Sequence, residues 1–292
     1  MMPEAETKNP TEPAPVETVV DIGETRIACL HYESAGPPLV LLHATGFNPW
    51  LWHPVARQLA GTYNIFCPYF CDHRGSDPYD GGLSWALLAG DLAEFCRVLD
   101  LSAPLLAGHS MGGAVMVIAA GEFGLAPARM LLIEPILLPR QFYGLELRVE
   151  DHPLAGKSIK RRNGWQDVQE ARTYLKSKEL FRRWDEEVLD LYVTHGLRGD
   201  GSGGLELACH PKREAALFMG GLRRDPWPLL REVSSPTLVL EGELTENKGL
   251  IDFRAAAAAM PFGIWQEVPG TGHLIPMEAP RETARLMHGF FM

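Results

Sequence analysis

Short, almost wholly apolar runs alternate along this chain with longer stretches of helical period, and that rhythm narrows the fold more than any other feature. Leu39-Val-Leu-Leu-His43 carries no polar alternation, the pattern of a strand covered on both faces. Tyr63–Pro68, Pro104–Ala107, Met130–Glu134, Pro236–Glu241 and Ile264–Val268 repeat it. Between them the spacing predicts helices over Trp52–Ala60, Trp85–Leu99, Gly112–Phe123, Phe253–Met260 and Ala279–Phe291. Trp85, Leu88, Leu92, Phe95 and Leu99 mark one apolar helical face. A leading hairpin is expected from Val19–Asp21 and Arg26–Tyr32, turning near Gly23. Strands alternating with helices imply an α/β fold, a mainly parallel, doubly wound sheet with helices on both faces.

The rhythm breaks after Leu138. Residues 139–225 are charged, helical in pattern and without strand signals, with helices expected over Trp165–Leu180 and Trp184–Thr194. We read them as an inserted helical cap, with 17–138 and 226–292 as the two parts of one core. Residues 1–16, rich in Pro, Glu and Thr, are expected to be a flexible tail. Ligands bind beyond the carboxyl ends of such strands, so a cap inserted after Glu134 would roof the site.

A formal charge of -10 argues against nucleic acid as a partner, since that needs a clustered basic face. The first residues, Met-Met-Pro-Glu-Ala-Glu, lack the basic and apolar regions of a secretory signal. No apolar run reaches membrane-spanning length, so a cytoplasmic protein with no membrane partner is expected. Cys29, Cys67, Cys71, Cys96 and Cys209 show neither disulfide nor zinc spacing and read as buried thiols. Oligomeric state is not written in these patterns.

The strongest local signal is Gly108-His-Ser-Met-Gly112, followed by Gly113. It has the form G-x-S-x-G, with a strand before it and a helix of small residues after it. Such a turn exposes a serine hydroxyl, here Ser110, and directs free helix N–H groups at developing negative charge. A nucleophilic serine needs a general base. Among ten histidines, His273 is the one in the loop between the last strand and the final helix, in Gly270-Thr-Gly-His273. Two N–H donors should stabilise an oxyanion: Met111, and Ala44 or Thr45 in the loop His43-Ala-Thr-Gly-Phe47, with His43 holding that loop.

Leu41-Leu-His-Ala-Thr-Gly46, Asp72-His-Arg-Gly75, Gly108-His-Ser-Met-Gly-Gly113 and Gly272-His-Leu-Ile-Pro-Met-Glu278 occur in the order of the α/β-hydrolase superfamily, which the chain resembles from Val16 to Met292. The resemblance implies the α/β-hydrolase fold, serine chemistry and no cofactor or metal. It also exposes two departures. The Asp72-His-Arg-Gly-Ser-Asp77 loop is shorter than the usual D-x-R-G-x-G-x-S. The triad acid expected in a G-x-x-D loop after Pro236–Glu241 is missing, because that loop reads Gly242-Glu-Leu-Thr245 and then Glu246. Some esterases and haloalkane dehalogenases place the acid instead at the end of the strand after the nucleophile helix, where Glu134 stands. Glu134 is the favoured acid, with Glu246 and Glu243 as alternatives.

The resulting expectation is a hydrolase of small carboxylic esters working through an acyl-enzyme. C–C bond hydrolase, lactonase, thioesterase and acyltransferase chemistry share the fold, and a non-catalytic ligand receptor on the same scaffold is the alternative of another class. Dehalogenases and epoxide hydrolases need aspartate where Ser110 stands. Phe47, Trp50, Trp52 and His109 are pocket candidates by adjacency in sequence. The basic cap residues could steer an anionic substrate, or form a solvated face.

Overall fold

The computed structural model describes residues 13–70 and 73–292. Its strands are β1 (Val16–Asp21), β2 (Arg26–Tyr32), β3 (Pro38–Leu42), β4 (Asn64–Pro68), β5 (Leu105–His109), β6 (Arg129–Ile133), β7 (Leu197–Gly199), β8 (Leu205–Leu207), β9 (Thr237–Gly242) and β10 (Gly263–Val268). Among the described residues the main sheet has eight strands in the order β1-β2-β4-β3-β5-β6-β9-β10. Only β1–β2 and β2–β4 pair antiparallel; the other neighbours are parallel. This is the mainly parallel, doubly wound α/β sheet that the alternation of apolar runs implied, and the α/β-hydrolase fold that the resemblance implied.

The helices are α1 (His53–Leu59), α2 (Trp85–Val98), α3 (Met111–Glu122), α4 (Ala155–Lys160), α5 (Val168–Lys176), α6 (Glu186–His195), α7 (Pro211–Gly220), α8 (Phe253–Ala258), α9 (Ile275–Glu278) and α10 (Pro280–Phe291). α2, α3 and α8 bury their apolar sides in one core cluster with Val40, Leu106, Leu132 and Val239. α1 and α10 pack with Leu39, Ala107, Leu131 and Leu240 in another. Alternate residues of each strand therefore serve opposite layers.

Several boundaries differ for local reasons. β1 starts at Val16, at the end of the expected tail. The helix expected over Trp52–Ala60 spans His53–Leu59 and is preceded by a 3-10 turn, Pro49–Trp52, capped by the Asn48 side chain. Trp165 does not open a helix. It bridges to Leu205, and Asp167 caps α5 by accepting the Glu170 N–H at 2.8 Å. Within 139–225, strands β7 and β8 form a hairpin that the sequence did not signal. Each is only three residues long, and Asp200 organises the turn by accepting from Ser202 N (2.7 Å) and Gly204 N (2.9 Å).

Candidate active site

β5 lies near the middle of the sheet, and α3 leaves its carboxyl end through Ser110. Ser110 has φ +57°, a region that an L-residue occupies only when the surroundings enforce it. They do. Its N–H donates to Ile133 O (2.9 Å) and its carbonyl accepts from Ile136 N (3.2 Å), both at the end of β6. A Cβ on Gly112 would lie 2.6 Å from the Leu42 carbonyl oxygen, and one on Gly108 would lie 2.6 Å from the Gly112 carbonyl carbon. Only glycine lets strand and helix approach this closely.

His273 sits in the loop between β10 and α9, with its Nε2 3.2 Å from Ser110 Oγ. The loop is tied down from several sides. Glu278 accepts the Gly272 N–H at 2.8 Å, and His109 Nε2–H donates to the His273 carbonyl at 2.9 Å. His109 is wholly buried, and burial followed by the neighbouring His273 holds its pKa well below the usual histidine value. It is therefore a neutral brace, not the pocket residue expected from adjacency.

The other ring nitrogen, Nδ1, lies 3.1 Å from Glu134 Oε2. Glu134 follows β6 directly and also has a positive φ, +48°. Its carboxylate has no solvent exposure. Oε1 accepts from Gly242 N (2.7 Å), while Oε2 also accepts from Thr245 Oγ1 (2.9 Å) and Asn247 Nδ2 (3.2 Å). Convergent donors of this kind compensate a carboxylate removed from water. Glu243 and Glu246 are placed elsewhere. Glu243 is exposed and accepts from Gly270 N at 2.7 Å. Glu246 is exposed at the cavity wall.

Asn247 and Thr245 escaped the sequence reading, which searched that loop for an acid rather than for donors. Asn247 Nδ2 also approaches His273 Nδ1 to 3.0 Å. If Nδ1 accepted from Asn247, the ring proton would sit on Nε2, which could not then take a proton from Ser110. A proton on Nδ1 donated to Glu134 leaves Nε2 free to accept. The carboxylate favours the second tautomer.

Ala44 and Thr45 line the same cavity as Ser110 and His273. Met111 opens α3, so its N–H belongs to the first turn, which lacks intrahelical acceptors. His43 accepts the Phe70 N–H at Nε2 (3.0 Å), and its Nδ1–H donates to the Ala44 carbonyl (2.8 Å). A Cβ at Gly46 (φ +77°) would lie 2.3 Å from Glu214 Oε1. Glu214 in turn accepts from Arg161 Nη1 at 2.8 and 2.9 Å, so this ion pair braces the loop from the inserted segment.

The cavity measures about 950 Å³. Phe47 lines it, but Trp50 and Trp52 do not. Trp50 stacks on His195 with centroids 3.8 Å apart, and Trp52 is buried in the core against α1. Both tryptophans belong to the 3-10 turn Pro49–Trp52, and neither reaches the cavity beside Ala44 and Thr45.

Cys71 and Asp72 lie outside the described residues. The rest of the short loop is clamped to α2. Arg74 donates to both Asp91 oxygens (2.6 and 2.7 Å), and His73 Nε2 donates to Oδ2 (2.8 Å). The described cysteines, Cys29, Cys67, Cys96 and Cys209, are buried. Among the described residues no group of His, Cys, Asp and Glu could hold a metal ion, and no helix is long and apolar enough to cross a membrane.

The profile of the alpha/beta hydrolase family matches residues 39–286. This chain belongs to that family. A 2-(acetamidomethylene)succinate hydrolase of Mesorhizobium japonicum is 23% identical over 273 residues, 93% of each chain. The crystal structure of an E-2-(acetamidomethylene)succinate hydrolase superposes with a TM-score of 0.78 at 21% identity, covering 95% of this chain and 99% of the other. An uncharacterised protein of Mycobacterium tuberculosis is 30% identical over 99 residues, so this member of the hydrolase family matches 29% of that relative's length with 34% of its own.

Proposed function

We propose that this hydrolase-family chain cleaves carboxylic esters by a Ser110–His273–Glu134 triad. The observation that carries the reading is the unbroken path from Ser110 Oγ to His273 Nε2 (3.2 Å) and from Nδ1 to Glu134 Oε2 (3.1 Å). Ser110 Oγ attacks the ester carbonyl carbon while its proton passes to His273 Nε2. Glu134 stabilises the imidazolium, and the N–H groups of Met111 and of Ala44 or Thr45 receive the oxyanion. The C–O bond to the alcohol breaks as Nε2 returns the proton to the leaving oxygen. Water, deprotonated by the same nitrogen, then attacks the acyl-enzyme and releases the acid and free Ser110.

The inserted segment roofs this centre and acts as a cap in this reading. Phe47 and Phe181 would contact substrate, since both line the cavity. The hydrolase activity in the full-length relative's name supports hydrolysis over ligand reception. A fluorophosphonate should label Ser110 and abolish hydrolysis of 4-nitrophenyl esters, and Ser110→Ala should lose at least about 10⁴-fold in kcat/KM. Ester turnover that survives Ser110→Ala overturns the proposal. Tight ester binding without turnover in the native protein favours a receptor.

A further inference from the structure

The cavity around Ser110 has a wall chemistry that distinguishes between acyl substrates. Its inner surface comes from three separate apolar clusters: Trp85 belongs to one, Phe181 and Leu175 to a second, and Leu147 and Phe218 to a third. Four more lining residues, Leu145, Leu154, Leu180 and Leu250, remain 43–47% exposed. Residues that both line the cavity and meet solvent mark its mouth. Leucines there keep an apolar surface wet at a cost that an occupant would remove.

The arginines in the wall are already engaged. Arg161 is paired with Glu214 through two contacts of 2.8 and 2.9 Å. Arg162 holds Glu170 and the Gly164 carbonyl, and Lys178 stands 4.2 Å above the Tyr174 ring. His152 accepts two backbone N–H groups at Nδ1, and burial lowers its pKa, so it stays neutral near pH 7. Lys157 and Glu246 are exposed rather than buried in the wall. No paired group offers a second carboxylate a buried cation without breaking an existing contact.

A cavity of about 950 Å³ lies at the upper end of ordinary ligand pockets, far larger than a short acyl group fills. We propose that this cavity is a binding site for an uncharged, apolar acyl chain of medium length or longer, entering past Leu145, Leu154, Leu180 and Leu250. The inference rests on the serine-esterase reading for the reaction and sharpens it from small esters to apolar-chain esters.

The test is the series of 4-nitrophenyl acetate, butyrate, hexanoate, octanoate and decanoate, with the monoester of succinate as the anionic member. kcat/KM should rise about twofold to fourfold with each methylene that enters the cavity. Leu145→Glu and Leu180→Glu, both at half-exposed positions, should lower the decanoate-to-acetate ratio about fivefold. A flat or falling series in active enzyme, or preference for the succinate monoester, overturns the proposal. A second measurement separates this failure from failure of the esterase reading: calorimetric binding of 1-octanol and 1-butanol to the Ser110→Ala protein. Tighter binding of 1-octanol supports the apolar site even if no ester is turned over and Ser110 takes no label, a result that removes the esterase reading alone. Equal affinities of both alcohols, together with no turnover, overturn both.

Discussion

Two regions of this molecule bury a carboxylate against a histidine, and they surround it in opposite ways. On α2, Asp91 meets His73 at 2.8 Å and also receives both arms of Arg74. At the end of β6, Glu134 meets His273 at 3.1 Å, but its other partners are Gly242 N, Thr245 Oγ1 and Asn247 Nδ2, all neutral. Among the described residues no lysine or arginine pairs with Glu134. The charge of Asp91 is neutralised in place, which makes it a clamp. Glu134 is hydrogen bonded but met by no cation, so in the proposed triad its charge is there to face His273 as that ring takes the Ser110 proton. Whether a cation already satisfies the carboxylate separates a structural acid–histidine pair from a working one.

The largest effect that would break this contrast is on turnover. Glu134→Gln should reduce kcat about 10⁴-fold with the fold intact by circular dichroism, because the amide no longer stabilises the charged ring. Loss smaller than tenfold would mean that another acid serves His273. Adding Asn247→Asp should restore at least tenfold, since that side chain already reaches 3.0 Å from Nδ1. Failure of the pair to exceed the single variant would show that the loop geometry cannot hold an acid there.

Asp91→Asn should act on stability instead. Breaking a largely buried pair costs about 3 kcal/mol, a Tm drop of about 6–12 °C for a chain of this size, with kcat changed less than threefold. Burial raises the Asp91 carboxyl, but hydrogen bonds from Arg74 and His73 outweigh it and hold the pKa below the usual aspartate range. A depressed folded-state pKa stabilises above the unfolded value and loses that contribution as pH falls through the folded one. The Tm gap between wild type and Asp91→Asn should therefore be constant above about pH 5 and close progressively below about pH 4. A gap that widens in acid contradicts this account.

The smallest effect sharpens the Glu134 side. Asn247→Ala removes one donor from the carboxylate and one competitor from Nδ1, and should lower kcat about tenfold with KM little changed. A rise in KM alone, measured on the same ester, would assign Asn247 to substrate binding instead.

Much of this could be read in the residues because burial on both faces leaves a continuous apolar signature. Leu39–Leu42 and Leu105–Ala107 announced central strands, and Gly108-His-Ser-Met-Gly112 announced the turn between strand and helix. Boundaries moved where side-chain caps decided them, as at Asp167. β7 and β8 escaped notice because three residues carry too short a pattern to show a period. Trp50 and His109 were misplaced because adjacency along a chain says little about direction across a turn.

The sequence alone determined the α/β architecture, the strained serine and the histidine loop, since glycine placement and local hydrophobic pattern are short-range properties. Only the tertiary structure shows that Glu134, and neither Glu243 nor Glu246, stands beside His273. Glu134 N–H is hydrogen bonded to Leu240 O at 2.9 Å, and that pairing of two strand ends about a hundred residues apart aims the carboxylate at His273. Long-range registry of this kind leaves no mark in either segment, because each strand would look the same whichever neighbour it met.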